Sequence, residues 1–212
     1  MARTKLKRLL KVKKFRNVFS GETISIKEGI QNYFSSGNRF SLEIGCGHGD
    51  YSVELAKKFP ERNFVGIDVK GARIYHGAMR SIDDKLDNVG FIIGKAEKLN
   101  EFFQPKSVEE IIIPFPDPHM RRSNQNRRLI SPNFLIIYKA LLTDYGTIHF
   151  KTDNQSLFEY VGKVISRFGC KILCFTDDLC QTSENSHLEI VTNYEKHYIK
   201  LGRRIKYIHF KF

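Results

Sequence analysis

Leu42-Glu43-Ile44-Gly45-Cys46-Gly47-His48-Gly49 places an acid in an apolar run and then glycine at every second position. Glycine adopts backbone angles closed to other residues and lets a ligand approach the main chain. A loop of this kind after a strand suits a nucleoside, although an ordinary strand-to-helix turn also needs glycines. About twenty residues on, where a nucleoside fold keeps its ribose-binding acid, Phe64-Val65-Gly66-Ile67 ends in Asp68. Asp50 stands where the dinucleotide fingerprint G-x-G-x-x-G needs its last glycine, which argues against an NAD-dependent oxidoreductase. A third candidate is Pro114-Phe115-Pro116-Asp117-Pro118-His119. Proline fixes φ and removes backbone donors, so this loop is stiff and carries a lone carboxylate. It suits a substrate grip at the mouth of a cofactor site, or else a rigid crossover with a solvated acid. Immediately after it, residues 121–128 hold Arg121, Arg122, Arg127 and Arg128 and no acid. Arginine forks onto phosphate oxygens through parallel hydrogen bonds, so this run fits a nucleic-acid backbone.

Two further segments carry polar groups at predicted element ends. In Lys151-Thr152-Asp153-Asn154, Asp153 either serves the site or caps the helix that follows. Thr192-Asn193-Tyr194-Glu195 precedes a basic tail with Lys196, Lys200, Arg203, Arg204 and Lys206. There Glu195 either acts in the site or offsets those charges, and Tyr194 can equally be core.

Alternating elements must position these groups. Apolar runs predict strands over 40–44, 63–68, 89–93, 110–113, 146–151, 171–175 and 204–210. The triple isoleucine of the fourth is typical of a strand buried on both faces. Helical spacing links Tyr51, Leu55 and Phe59, then Ile74, Ala78, Ile82 and Leu86. Ser131-Pro132 predicts a capped helix start, with Phe134, Leu135, Tyr138, Leu141 and Leu142 on its buried stripe. Leu157, Phe158, Val161, Ile165 and Phe168 mark another helix, closed by Gly169. Repeated strand–helix units imply an α/β chain with a doubly wound, mostly parallel sheet. Ligands of such sheets bind beyond the carboxyl ends of the strands, where Glu43, Asp68, Asp117 and Asp153 all fall.

With 212 residues and 41% hydrophobic content, the chain can fill one sizeable core. Its net charge of +12 is unevenly spread. The first twenty residues carry Arg3, Lys5, Lys7, Arg8, Lys11, Lys13, Lys14 and Arg16 without an acid, which suits a polyanion. The expected organisation is a mobile basic arm over 1–22 and one domain over 23–212, with a loop over the site from Asp177 to about Ser186. No apolar run reaches membrane length, and the basic start lacks the apolar segment of a secretion signal. Cys46, Cys170, Cys174 and Cys180 do not form paired C-x-x-C knuckles, so neither zinc nor another metal is expected, and reduced thiols in the cytoplasm are.

The glycine loop, Phe115-Pro116-Asp117-Pro118 with Arg121 and Arg122 behind it, Thr152-Asp153, and Thr192-x-Tyr194-Glu195 occur in this order. Over residues 37–212 the chain thereby resembles the TrmB family of bacterial tRNA (guanine-N7-)-methyltransferases. The resemblance implies a class I, Rossmann-like methyltransferase with a seven-stranded sheet and an antiparallel last strand. It implies S-adenosyl-L-methionine as cofactor and tRNA as partner and substrate, while the lack of a long apolar run implies no membrane partner. The product would be 7-methylguanosine in the variable loop, conventionally position 46. By the same resemblance Glu43, Gly45, Gly47, Gly49, Asp68, Lys95, Ala96 and Asp117 bind the cofactor, and Asp117 is the catalytic carboxylate between cofactor and guanine. Arg121, Asp153, Thr192 and Glu195 contact substrate. His119 replaces the family's usual tryptophan, and Arg121 its usual lysine. Lys95 replaces an acid or amide, and its side chain cannot accept a hydrogen bond from an adenine amino group. Competing readings are an rRNA or protein methyltransferase of this fold and a non-catalytic RNA-binding protein on the same scaffold. The expected assembly is a monomer or homodimer.

Overall fold

A computed structural model describes residues 2–34, 39–179 and 190–212. Among them one eight-stranded sheet runs in the order β1-β4-β3-β2-β5-β6-β8-β7. Strands β2 (Phe40–Ile44), β3 (Asn63–Asp68) and β4 (Val89–Ile93) lie where the apolar runs predict them. β5 (Val108–Pro114), β6 (Leu142–Thr152), β7 (Lys171–Thr176) and β8 (Lys206–Lys211) complete the predicted set. Neighbours from β4 to β6 pair in parallel, whereas β8 pairs antiparallel with both β6 and β7. The sheet is thus one strand wider than the expected seven. The added strand β1 (Val18–Phe19) pairs with β4 and is too short to show a period.

Successive strand residues face opposite sides, which sorts the core into two. Helices α2 (Thr23–Tyr33), α5 (Leu99–Phe102), α6 (Pro132–Leu141) and α7 (Gln155–Arg167) cover one face. There Leu42, Ile44, Ile111, Ile113, Ile148 and Phe150 form an apolar layer against Leu135, Tyr138 and Val161. Helices α3 (Asp50–Lys58) and α4 (Gly71–Asp83) cover the other face, packing Tyr51, Leu55, Ile74 and Ala78 on Phe64, Phe91 and Ile112.

The segment read above as an arm forms helix α1 (Ala2–Val12) and then β1. Its charges hid a short apolar edge. Val12 is fully buried, and Leu9 reaches the first turn of α4, where a Cβ on Gly71 would meet its Cδ1 at 2.8 Å. Lysine and arginine are themselves good helix formers. Asn17 then donates to the Ala78 carbonyl (3.1 Å) and to Ser81 Oγ (2.8 Å). Of the loop expected over 177–186, residues 180–186 lie outside the described residues. Leu179 is buried, its N–H donating to the Ile205 carbonyl at 2.8 Å.

Two capping expectations are corrected. Ser131 precedes Pro132 at the start of α6 as predicted, but its hydroxyl donates to the Asn126 carbonyl (3.3 Å) rather than serving as the cap acceptor. Asn154, not Asp153, caps α7, accepting the Leu157 N–H at 2.8 Å. Among the described residues no helix is long and apolar enough to cross a membrane.

Candidate active site

A cleft of about 510 Å³ opens beyond the carboxyl ends of β2, β3, β4 and β5. Its lining includes Gly45, Asp68, Lys95, Ala96, Asp117 and His119. Four segments separated widely in sequence therefore meet where the sheet rule places a ligand.

The glycine loop enters it with φ of +74° at Gly45 and +55° at Gly47, values that side-chain-bearing residues rarely adopt. Asp68 holds this loop from the neighbouring strand. Its Oδ2 accepts the Gly47 N–H (3.0 Å) and its Oδ1 the Lys70 N–H (2.7 Å). Each carboxylate oxygen keeps a second acceptor position for a hydroxyl. Gly49 has a different task. A Cβ there would lie 2.4 Å from the Phe91 ring, so this glycine lets the start of α3 approach the sheet.

Glu43 is 3% exposed and works behind the loop. Its Oε2 accepts both the N–H (2.8 Å) and the hydroxyl (2.6 Å) of Ser52 in the first turn of α3. An acid at a helix N-terminus is electrostatically favourable. Burial nevertheless pushes its carboxyl up to about 7, against the pull of the Ser52 hydrogen bonds.

Asp117 is exposed on a strained turn. Phe115 and His119, flanking it, have φ of +51° and +41°, an uncommon region for residues with a Cβ. The turn is tied where it leaves β5: the Phe115 N–H donates to the Lys151 carbonyl at 2.9 Å, and the Phe115 ring packs on Tyr194 with centroids 4.8 Å apart. Arg121 is exposed just beyond, at the start of a 3-10 turn over Arg122–Arg127.

Asp153, Thr192 and Glu195 do not line the cleft. Asp153 Oδ2 accepts from Arg203 at 2.6 Å, and that guanidinium lies 4.7 Å from the Tyr198 ring centroid. Thr192 caps α8 (Asn193–Lys200), its Oγ1 accepting the Glu195 N–H at 3.1 Å. The Thr-x-x-Glu spacing is that of a capping box, but here the carboxylate turns inward. Glu195 is 2% exposed and accepts from Lys151 Nζ at 3.1 Å. Burial raises the Glu195 carboxyl, and the Lys151 ammonium opposes that rise. Lys151 Nζ also lies 5.1 Å from the Tyr51 ring centroid, within cation–π range.

Lys70 and Arg73 also line the cleft, and sequence reasoning missed them. A signal existed. They sit at the N-cap and in the first turn of α4, which has no acid there, although cations are disfavoured at that end of a helix. Arg127 lines the cleft as well, so the basic run does reach it.

The groups present fit a nucleoside carrying a sulfonium methyl donor. Gly45 offers a close backbone approach, Asp68 acceptors for ribose, and Ile44, Ile67, Ala96 and Phe134 an apolar wall for a base. The Lys95 ammonium can only donate, so in that segment adenine's acceptor is the backbone or the carboxylate of Glu97, which also lines the cleft. The sheet order and this loop–acid pair define a Rossmann-like methyltransferase.

Comparison with known proteins narrows that class. The sequence profile of a family described as "Putative methyltransferase" matches residues 38–208. A tRNA (guanine-N(7)-)-methyltransferase of Cytophaga hutchinsonii is 40% identical, over 100% of this chain and 99% of its own. One from Porphyromonas gingivalis is 41% identical over 84% of this chain and 73% of its own. The chain belongs to this family, the TrmB-type tRNA (guanine-N7-)-methyltransferases. Among solved structures, the 16S rRNA methyltransferase KamB superposes with a TM-score of 0.65 over 87% of this chain and 92% of its own, at 15% identity. At that identity the likeness concerns the fold.

Proposed function

We propose that the protein transfers a methyl group from S-adenosyl-L-methionine to N7 of a guanine in tRNA, the variable-loop guanine at conventional position 46. The convergence of Gly45, Asp68, Ala96 and Asp117 on one cleft, in a member of this family, supports the reading. A sulfonium donor supplies a methyl already activated as an electrophile. Guanine N7 has a free lone pair, so no proton must leave before attack and no general base is needed. Neither partner requires a metal.

The chain's work is alignment and charge stabilisation, and alignment alone can lower such a barrier by several kcal/mol. Gly45, Gly47 and Asp68 hold the nucleoside, while Glu43 and Gly49 fix the loop from behind. The backbone at Lys95 and Ala96 meets the donor's base. Asp117 accepts from the target's N1–H and exocyclic amine, a donor pair adenine lacks. Alkylation makes the guanine cationic, so this carboxylate favours the transition state over the ground state. His119, beside it, offers a ring for stacking on an extruded base. Arg121, Arg127, Lys70 and Arg73 face phosphates. Asp153, Thr192 and Glu195 shape the substrate side by fixing α8. The unit carrying this activity is a single domain over 23–212 with α1 and β1 seated on its edge, acting in the cytoplasm as a monomer or homodimer.

The test is incubation with unfractionated tRNA and methyl-labelled donor, followed by mapping of the modified nucleotide. Label in 7-methylguanosine of the variable loop is expected. Label on another base, or only on rRNA or protein, overturns the assignment.

A further inference from the structure

Arg128 belongs to the basic run but not to its surface. It is 6% exposed, whereas its neighbour Arg127 is exposed along the cleft. Its Nε donates to the Pro118 carbonyl at 2.9 Å and an Nη to the His119 carbonyl at 3.3 Å. The guanidinium lies 4.1 Å from the Tyr160 ring centroid on α7. A planar fork that hydrogen-bonds at its edge and stacks on its face uses two properties lysine lacks. The two carbonyls are those immediately following Asp117, and His119 is one of the strained residues. Phe115 is already tied to β6 on the other side of Asp117. The carboxylate thus hangs between two anchors, one of them Arg128.

We propose that Arg128 is a positioning residue, which fixes Asp117 by clamping the next two carbonyls against α7 and does not contact RNA phosphate. The proposal rests on the reading of Asp117 as the catalytic carboxylate.

Arg128→Lys separates the two roles, because lysine serves a phosphate as a point charge but cannot reproduce the fork. Measurements on the full chain are kcat and KM for tRNA, tRNA affinity at several salt concentrations, donor binding by calorimetry, and amide exchange at Phe115. The expected result is a kcat lowered about 100-fold, the scale of a small misplacement at a reacting centre. Exchange at the Phe115 amide, which is hydrogen-bonded to Lys151, should be faster, with donor affinity, tRNA affinity and salt slope unchanged. A wild-type kcat overturns the clamp. So does weakened tRNA binding with a salt slope reduced by about one charge, the signature of a lost phosphate contact. If Arg128→Lys does not fold, Tyr160→Leu takes over by removing the ring beneath the guanidinium. It should lower kcat several-fold with unchanged tRNA affinity, and unchanged kcat and exchange overturn the proposal. Should the wild type leave tRNA unmethylated, the functional reading fails, and the exchange comparison alone still decides whether Arg128 restrains the loop.

Discussion

Six acids and bases around the site fall into two groups within one molecule. Asp68, Lys95 and Asp117 line an open cleft. Glu43, Lys151 and Glu195 are 2–3% exposed on the α3 side of the sheet, where each is spoken for by another protein group. That side continues away from the cleft as a polar seam. His149 bridges Glu110 Oε1 (3.0 Å) and the Tyr207 hydroxyl (2.7 Å), and Arg62 reaches Glu110 at 3.2 Å. The opposite face of the same sheet is packed with isoleucine, leucine and phenylalanine. An acid at a strand end can therefore be a ligand group or a tie that holds a ligand loop, and exposure separates the two.

Substitutions sharpen this contrast. Glu195→Ala should cost the most, because it leaves Lys151 buried without its counter-ion. We expect a loss of about 3–5 kcal/mol, read from urea unfolding. A Lys151→Met/Glu195→Leu pair should recover most of it, and failure to do so would mean the ion pair itself carries the stability. Asp117→Ala should do the opposite. Activity should fall by about 10²–10³-fold, the scale for losing one preorganised electrostatic group, with donor binding and melting temperature unchanged. A variant with near-normal turnover places Asp117 outside the chemistry.

Glu43→Gln tests the seam through pH. A carboxyl raised to about 7 binds more protons folded than unfolded, so its contribution to stability falls as pH rises from about 4.5 towards 7. Glutamine keeps an acceptor for Ser52 and removes the titration. The wild type should lose stability relative to the variant between pH 5 and 8, by on the order of 3 kcal/mol. A pH-independent difference in unfolding free energy would show that Glu43 is solvated. The smallest effect should be Thr192→Ala, which removes the α8 cap at about 1 kcal/mol, measured by thermal melts, and leaves donor affinity alone.

The sequence shows these regions unequally. β2, β3 and β4 are legible because a buried parallel strand needs an unbroken apolar run. The cleft residues are legible because glycine spacing, a strand-end acid and a proline-locked aspartate are local patterns. Helices α1, α2 and α8 are not, since among their described side chains α1 buries only Val12 and α2 only Ile26 and Ile30, while the buried residue of α8 is the charged Glu195, and their polarity resembles that of a loop. The seam is hidden for another reason. Lys151 and Glu195 are 44 residues apart, and no local pattern says that two charges will meet in the dark. Arg128 is likewise indistinguishable from Arg127 until the fold turns one inward.

The attachment of β1 and Asn17 has a bearing on how the chain can be made and cut. Asn17 finds its partners 61 and 64 positions later, so a polypeptide emerging amino end first cannot seat its polycationic leading segment until α4 has followed. Trimming at residue 22 to obtain a shorter enzyme would strip the outer edge of β4 and take the Asn17 amide away from Ser81 Oγ and from the Ala78 carbonyl, which the Ser81 hydroxyl would still serve at 3.0 Å.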